Sequence, residues 1–168
     1  MDVFEAVRTI LAVRSFDDRP VPDAVVDRVV EAAHLTASSM NRQPWHFVVV
    51  KERTRLKELG RRVTTGPYVA QASFAVVVAI EKASPWGVSD ASRAIQDMML
   101  TAWADGVGSN WTGFSGLDVK EPLGIPDEYD VLAVIPFGYP ANPGGKGKKN
   151  RKPLSEVVSA EKFGRPFE

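Results

Sequence analysis

The sequence has no cysteine among its 168 residues. Disulfide bonds, thiolate metal sites and cysteine nucleophiles are therefore excluded. The two histidines, His34 and His46, are too few for a histidine-based metal site unless carboxylates complete it. We therefore predict no metal site.

The sequence also has no excess of charge of either sign, with 21 Lys and Arg against 21 Asp and Glu. Global electrostatics thus favour neither nucleic acid nor an anionic membrane as a partner. No apolar run approaches the roughly 20 residues that a membrane-spanning helix needs. The first residues, MDVFEAVRTIL, carry acids and lack the apolar core of a secretory signal, so we expect a cytoplasmic protein.

Hydrophobic spacing predicts a single layered α+β domain over 1–168, with about four strands and four or five helices. Gly60 is expected to stop the third helix, and Ser89 or Asp90 to cap the fourth. The predicted elements are helices near 3–11, from 23, at 54–59 and at 90–105, and strands at 47–50, 74–80, within 107–114 and at 131–137.

The segment 36–50, TASSMNRQPWHFVVV, joins a polar turn to a stiff Gln-Pro-Trp corner and an apolar, β-branched strand. Such a turn is a common place to hold a ligand, because a rigid scaffold fixes its polar groups. The amides of Asn41 and Gln43 offer donors and acceptors that suit a flat heterocycle. The alternative interpretation is structural, with Ser38 capping the turn and Asn41 tolerating a left-handed backbone.

This segment resembles the signature of the nitroreductase family of flavin enzymes, small-Ser-x-x-Asn-x-Gln-Pro-Trp-x-Phe, which SSMNRQPWHF follows closely. The resemblance implies a mixed sheet flanked by helices and an intertwined homodimer, with the apolar helix at 90–105 at or near the dimer core. It also implies bound FMN, with NAD(P)H as donor and a nitroaromatic, quinone or similar small molecule as acceptor in a ping-pong cycle. Ser38, Ser39, Asn41 and Gln43 are then predicted to bind the cofactor.

Five cations, Lys146, Lys148, Lys149, Arg151 and Lys152, lie in a Gly- and Pro-rich segment that we place in a C-terminal loop or arm at 141–168. Cations this close repel one another unless they are solvated or paired with an anion, so the segment is either a solvated tail or a phosphate site. The run KNRKP resembles the family's Lys-x-Arg-x-Pro element, which meets the flavin phosphate. On that resemblance Arg151, followed by Lys149, is predicted to bind phosphate.

The resemblance implies a second cofactor contact at Arg14 and Ser15, whose guanidinium and hydroxyl would meet the phosphate and ribityl chain; a guanidinium suits phosphate because its donors form a planar fork. Family members usually open with Arg-Ser-x-Arg-x-Phe. One alignment replaces the first Arg-Ser pair by Leu11-Ala12, and the other replaces the second arginine by Asp17. Either way one phosphate contact is missing, which motivates a second hypothesis, a deazaflavin such as F420 on the same fold.

The glycine-punctuated segment 106–113 is the third candidate, because glycine lets a planar ring approach the backbone closely. The family places a similar segment near the flavin, so Trp111, Thr112 and Gly113 are predicted to bind the cofactor. No side-chain nucleophile or general base is required, since a flavin carries the chemistry itself. A non-catalytic dimer that binds or sequesters flavin is the alternative from a different functional class.

Overall fold

The computed structural model describes residues 1–113, 118–142 and 149–167. Helices and strands are mixed along these ranges, which confirms the predicted α+β class. None of the helices described is long and apolar enough to cross a lipid bilayer. The elements are α1 (Val3–Thr9), α2 (Asp23–His34), β1 (Trp45–Val50), α3 (Arg53–Arg62), β2 (Phe74–Glu81), α4 (Gly87–Ala104), β3 (Gly108–Ser109), α5 (Lys120–Leu123), β4 (Tyr129–Gly138) and α6 (Leu154–Val157), with 3₁₀ turns at Ser39–Asn41 and Pro67–Gln71.

The four strands form one sheet in the order β1-β2-β4-β3, and every neighbouring pair is antiparallel. The family resemblance implies a mixed sheet, whereas parallel pairing in the described ranges is limited to one isolated bridge, between Ala12 and Ser109. The reason is that the N-terminal segment pairs with β3 at this one position and then meets Pro140 through an antiparallel bridge at Phe16. It therefore does not extend into a parallel strand.

The central strand β2 is buried on both faces, as its apolar run predicts. Alternate residues of a strand point to opposite faces, so Phe74 joins one core cluster and Ala75 the other. α2 and α4 cover the first face, and α3 with the Pro67–Gln71 turn covers the second. β2 therefore needs an apolar side chain at nearly every position.

Gly60 has a different role from the predicted helix stop. It lies inside α3, which continues to Arg62. A Cβ at Gly60 would lie 2.8 Å from the amide nitrogen of Ala70 and 2.9 Å from the carbonyl oxygen of Pro67. The glycine is needed because α3 and the following 3₁₀ turn approach each other too closely for any side chain at this position.

The start of α4 also differs from the prediction, whereas its end agrees. The helix begins at Gly87, before either predicted cap, and Asp90 lies within its first turn. The carboxylate of Asp90 bonds to Ser39 instead of capping the helix. After the last turn, Gly106 has φ +77°, a left-handed conformation that favours glycine at a helix end.

Candidate functional site

Residues 38–43, which we call the signature loop, form a closed polar turn. The amide of Gln43 donates to Ser38 Oγ at 2.9 Å, and the amide of Asn41 donates to the Ser38 carbonyl oxygen at 3.0 Å. The side-chain amide of Gln43 donates to the Asn41 carbonyl oxygen at 3.1 Å and to its Oδ1 at 3.2 Å. The structural interpretation of Ser38 is thus confirmed, because its hydroxyl closes the turn.

The signature loop has a strained backbone. Met40, Asn41 and Gln43 have φ of 52°, 53° and 52°. Left-handed backbone at a non-glycine residue costs about 1–3 kcal/mol and persists only where the surroundings fix it. The sequence predicts this conformation for Asn41 but not for Met40 or Gln43. Strain of this kind concentrates at functional sites, and the exposed amides of Asn41 and Gln43 are accessible to a ligand.

Ser39 anchors the signature loop to α4. Its amide donates to Asp90 Oδ2 at 2.9 Å, and its hydroxyl donates to Oδ1 at 3.0 Å. Arg93, one turn along the helix, also donates to Oδ1. Burial alone would raise the pKa of Asp90, but the bonds from Ser39 and Arg93 outweigh it and hold that pKa below its ordinary value. Both polar groups of Ser39 are therefore engaged with a buried carboxylate.

Arg14 and Ser15 line a cavity of about 670 Å³, within the roughly 300–1,000 Å³ of small-molecule sites. Leu11 and Trp103 contribute apolar walls to the same cavity. Among the residues that the structure describes, Arg14 has no hydrogen-bond or ionic partner. Its guanidinium is thus available to an anion in the cavity.

Arg19 lines the same cavity and was not singled out by the sequence reasoning. Its guanidinium lies 4.3 Å from the centroid of the Tyr139 ring and 2.7 Å from Asp17 Oδ2. The side-chain hydrogen bond from Arg19 lowers the pKa of Asp17. Asp17 therefore orients a second guanidinium at the cavity. An Asp two residues before an Arg is too common a pattern to predict from the sequence that Arg19 lies at the cavity.

The glycine-punctuated segment is built into the sheet edge. Thr112 is buried, its Oγ1 donates to the Val134 carbonyl oxygen at 2.8 Å, and its backbone pairs with Val134. Trp111 packs against the core cluster under α2 and α4. Gly113 has φ +114°, which requires glycine. The side chain of Thr112 is therefore occupied by the fold, and the rest of the loop, 114–117, lies outside the described residues.

The two predicted C-terminal cations differ in their contacts. Lys149 Nζ donates to the Val7 carbonyl oxygen in the last turn of α1, where the helix dipole favours a cation. Arg151 is exposed and donates to the neighbouring Asn150 carbonyl oxygen at 2.9 Å. Lys146 and Lys148 of the basic segment lie outside the described residues. Arg151 is thus the more available of the two for an anion.

Two of the predicted cofactor sites, the signature loop and the Arg14 cavity, lie at opposite ends of α4. The signature loop meets Asp90 at the helix start, whereas Trp103 near its end lines the Arg14 cavity and donates to Thr9 Oγ1 at 2.9 Å. A helix rises 1.5 Å per residue, so the ends carrying Asp90 and Trp103 are about 20 Å apart.

The sheet separates the same two groups. The signature loop leads into Trp45, which pairs with Ile80 near the end of β2. The Arg14 segment instead meets Pro140 just beyond Phe137, the residue paired with the first residue of β2. One chain therefore does not bring the signature loop and the Arg14 cavity together. No cluster of acidic or histidine side chains in the described ranges could hold a metal ion.

The chain belongs to the nitroreductase family, whose model matches residues 8–79 and 61–139. The resemblance drawn from the signature is thereby confirmed. The family places this four-stranded sheet and its helices among the nitroreductase-like folds.

Individual relatives agree with this assignment. A protein of Methanothermobacter thermautotrophicus, named provisionally as an NADH dehydrogenase/NAD(P)H nitroreductase, is 36% identical over 154 residues, covering 86% of this chain and 81% of the relative. An iodotyrosine deiodinase of Thermotoga neapolitana is 24% identical over 182 residues, covering 93% and 95%. Among solved structures, an FMN-dependent nitroreductase from Clostridium difficile superimposes with a TM-score of 0.87 at 25% identity, covering 95% of this chain and 99% of that one.

Proposed function

We propose that this chain is an FMN-dependent oxidoreductase. It takes hydride from NADH or NADPH and reduces a second small molecule, such as a nitroaromatic or a quinone, in a ping-pong cycle. The observation that carries the proposal is the combination of a strained, amide-bearing signature loop with an arginine-lined cavity in a chain of this family. The flavin supplies the redox chemistry, and the protein supplies binding, orientation and electrostatics.

The donor set at the cavity fits the phosphate end of FMN. A phosphate monoester carries about −1.5 to −2 charge at neutral pH. Arg14 has no competing partner in the described ranges, and Ser15 beside it offers a hydroxyl. Arg19 lines the same cavity, and we assign further cations to Arg151, followed by Lys149, which would reach the phosphate from the C-terminal segment. A charge-assisted hydrogen bond contributes about 1.5–3 kcal/mol, so two or three of these groups suffice to anchor a phosphate.

The signature loop fits the flat end of the flavin. Asn41 and Gln43 are exposed, and their side-chain amides offer donors and acceptors to a heterocycle with alternating polar atoms. The hydroxyl of Ser38 is already part of the turn, and Ser39 faces Asp90. We therefore assign ring contact to Asn41 and Gln43, and support of the loop to the two serines.

We propose that the complete site forms in a homodimer. The loop and the cavity lie about 20 Å apart along α4, so a second copy that brings its loop to the first copy's cavity would complete each site. Exposed apolar side chains support such an association, since large exposed apolar patches mark interaction surfaces. Val3, Phe4 and Val7 of α1 are 75%, 76% and 45% exposed and lie within about one turn of one another, so they form one apolar patch.

A visible spectrum of the purified protein, with mass identification of whatever it releases on denaturation, tests the cofactor. Release of FMN would support the proposal, and a protein that stays colourless after incubation with FMN would refute it. Steady-state rates with varied donor and acceptor then test the cycle. Parallel double-reciprocal lines are expected, and intersecting lines would contradict the ping-pong order. Bound FMN without turnover would favour the sequestering dimer.

The second candidate is the same fold holding a deazaflavin such as F420. The observation that favours it is Leu11, an apolar residue that lines the cavity and that, in one of the two alignments, replaces the family's first arginine. Parallel titrations with FMN and F420 distinguish the two, because tighter binding of F420 would assign the cavity to the deazaflavin.

A further inference from the structure

Asp90 is a buried carboxylate that the proposed redox cycle does not use. Its side chain is fully inaccessible to solvent. A buried charge is costly unless it is paired and hydrogen-bonded. Here Ser39 supplies an amide and a hydroxyl, and Arg93 supplies a guanidinium. The two donors of Ser39 come from 51 positions earlier in the chain, so this carboxylate ties a distant loop to α4.

The tie lies directly beside the strained part of the signature loop. Met40 and Asn41, the next two residues, both have left-handed backbones. On the other side of the strain, the Trp45 amide donates to the Gln43 carbonyl oxygen at 2.8 Å, and the Glu81 amide donates to the Pro44 carbonyl oxygen at 3.2 Å. The loop is thus held at both ends and strained between them. Such strain persists only while the surroundings fix it.

We propose that Asp90 is a positioning residue for the ring-binding loop. Its two oxygens hold Ser39, and through Ser39 they keep Asn41 and Gln43 in the left-handed conformation that presents their amides to the flavin ring. This inference rests on the proposed function and deepens it. It assigns Asp90 to the ring end of one site of the proposed homodimer, whereas Arg14 of the same chain, about 20 Å away along α4, serves the phosphate end of the other site.

The Asp90→Asn variant removes this support with little change in side-chain shape. An asparagine has one carbonyl oxygen, so its N–H₂ group must face either the Ser39 amide or the Arg93 guanidinium, and both of these can only donate. In one orientation the Ser39 amide loses its acceptor, and in the other Arg93 loses its ionic partner, so the anchor loses a charge-assisted bond either way and the strained loop can rearrange. Arg93 cannot replace the carboxylate, because it is itself a donor.

Two ligands separate the ends of the proposed site, since riboflavin has the ring of FMN but no phosphate. We would titrate FMN and riboflavin against the parent protein, Asp90→Asn, Arg14→Gln and Ser73→Ala. Asp90→Asn should weaken both ligands by the same factor of about ten, the effect of losing one charge-assisted bond from the anchor. Arg14→Gln should weaken FMN alone. Ser73→Ala is the matched control, because it removes a partly buried hydrogen bond to the Val21 amide and should change neither affinity.

The outcomes separate this inference from the proposed function. If the parent protein binds neither FMN nor riboflavin, both the proposed function and the positioning role of Asp90 are overturned. Parent protein that binds them, with Asp90→Asn showing no loss or a loss for FMN alone, overturns the positioning role only. If Asp90→Asn fails to fold, Ser39→Ala should weaken both ligands and Ser39→Thr, which keeps the hydroxyl, should restore them; equal affinities in these two variants would refute the inference.

A second measurement needs no ligand. Amide hydrogen exchange across residues 39–43 should be faster in Asp90→Asn than in the parent protein, because the loop loses its anchor. The Ser73→Ala control should leave it unchanged. Exchange at the parental rate in Asp90→Asn would overturn the positioning role, whatever the flavin titrations show.

Discussion

Individual side chains divide into those whose role follows from local chemistry and those whose role requires the fold. Ser38 and Asn41 are of the first kind, since a hydroxyl that closes a turn and an asparagine in a left-handed conformation act within a few residues. Asp90 and Ser39 are of the second kind. Their bond joins positions 51 apart, and local spacing instead indicated a helix cap at Asp90.

The two C-terminal cations should respond differently to replacement by glutamine. Arg151→Gln should weaken FMN about tenfold, because it removes one charge-assisted bond to the phosphate. It should leave the free energy of unfolding unchanged, because the exposed side chain donates to the carbonyl oxygen of its own neighbour Asn150. Lys149→Gln should also lower the free energy of unfolding by about 0.3–1 kcal/mol, since it removes a cation from the end of α1. FMN titration and urea unfolding of each variant provide the check. Unchanged FMN affinity in the double variant would remove the phosphate assignment.

The carboxylate of Asp90 should give the fold a pH-dependent contribution. Its pKa is below the ordinary value in the folded protein, so the stabilisation is present above the unfolded pKa of about 3.9 and is lost as pH falls through the lower folded pKa. The difference in unfolding free energy between the parent protein and Asp90→Asn should therefore be constant from about pH 5 to 7 and shrink below about pH 4. Urea unfolding at pH 7 and pH 3 measures it, and a difference that grows in acid would contradict the assignment.

A helix or strand can be predicted from the sequence where its residue pattern has only one structural explanation. The run FAVVVAI is apolar on both faces because β2 is covered on both faces, and its position was predicted to within a residue. Gly60 shows the opposite case. The same residue marks a helix end or a close contact within a helix, and only the packing of α3 on the Pro67–Gln71 turn distinguishes the two.

Replacing Gly60 by alanine should therefore destabilise the fold even though alanine is the better helix former. The new Cβ would lie 2.8 Å from backbone and side-chain atoms of Ala70, and overpacking of this kind costs about 1–3 kcal/mol. Urea unfolding measures the change. Lys57→Ala, at an exposed position of the same helix, is the control and should change the free energy of unfolding by less than about 0.5 kcal/mol. A Gly60→Ala variant as stable as this control would contradict the close packing.

At the scale of the whole molecule, the separation of the signature loop from the Arg14 cavity is the property that the sequence could not show. Both motifs were recognisable, and nothing in their spacing along the chain indicates that they lie at opposite ends of α4. The distance depends on the length of α4 and on the order of the strands in the sheet, and both are properties of the assembled fold.

The proposed homodimer predicts complementation between two defective proteins. Arg14→Gln damages the cavity and Asn41→Ala damages the loop, so neither homodimer has an intact site. After unfolding and refolding together, half of the dimers would be mixed, and each of these would have one intact and one doubly damaged site. Binding of FMN at roughly a quarter of all sites is expected from random pairing. Recovery no greater than in the separate proteins would contradict a site shared between two copies.

Because the signature loop and the Arg14 cavity lie at opposite ends of α4, the length of this helix sets their relative position as well as the packing of the core. One residue inserted between Asp90 and Trp103 would turn one end of the helix by about 100° relative to the other and shift it by about 1.5 Å. Surface loops accommodate such insertions readily, but here the anchor of the loop and the wall of the cavity would lose their mutual register in a single event. The number of residues in α4 should therefore be among the least evolvable properties of the chain, more so than the identity of many of its side chains.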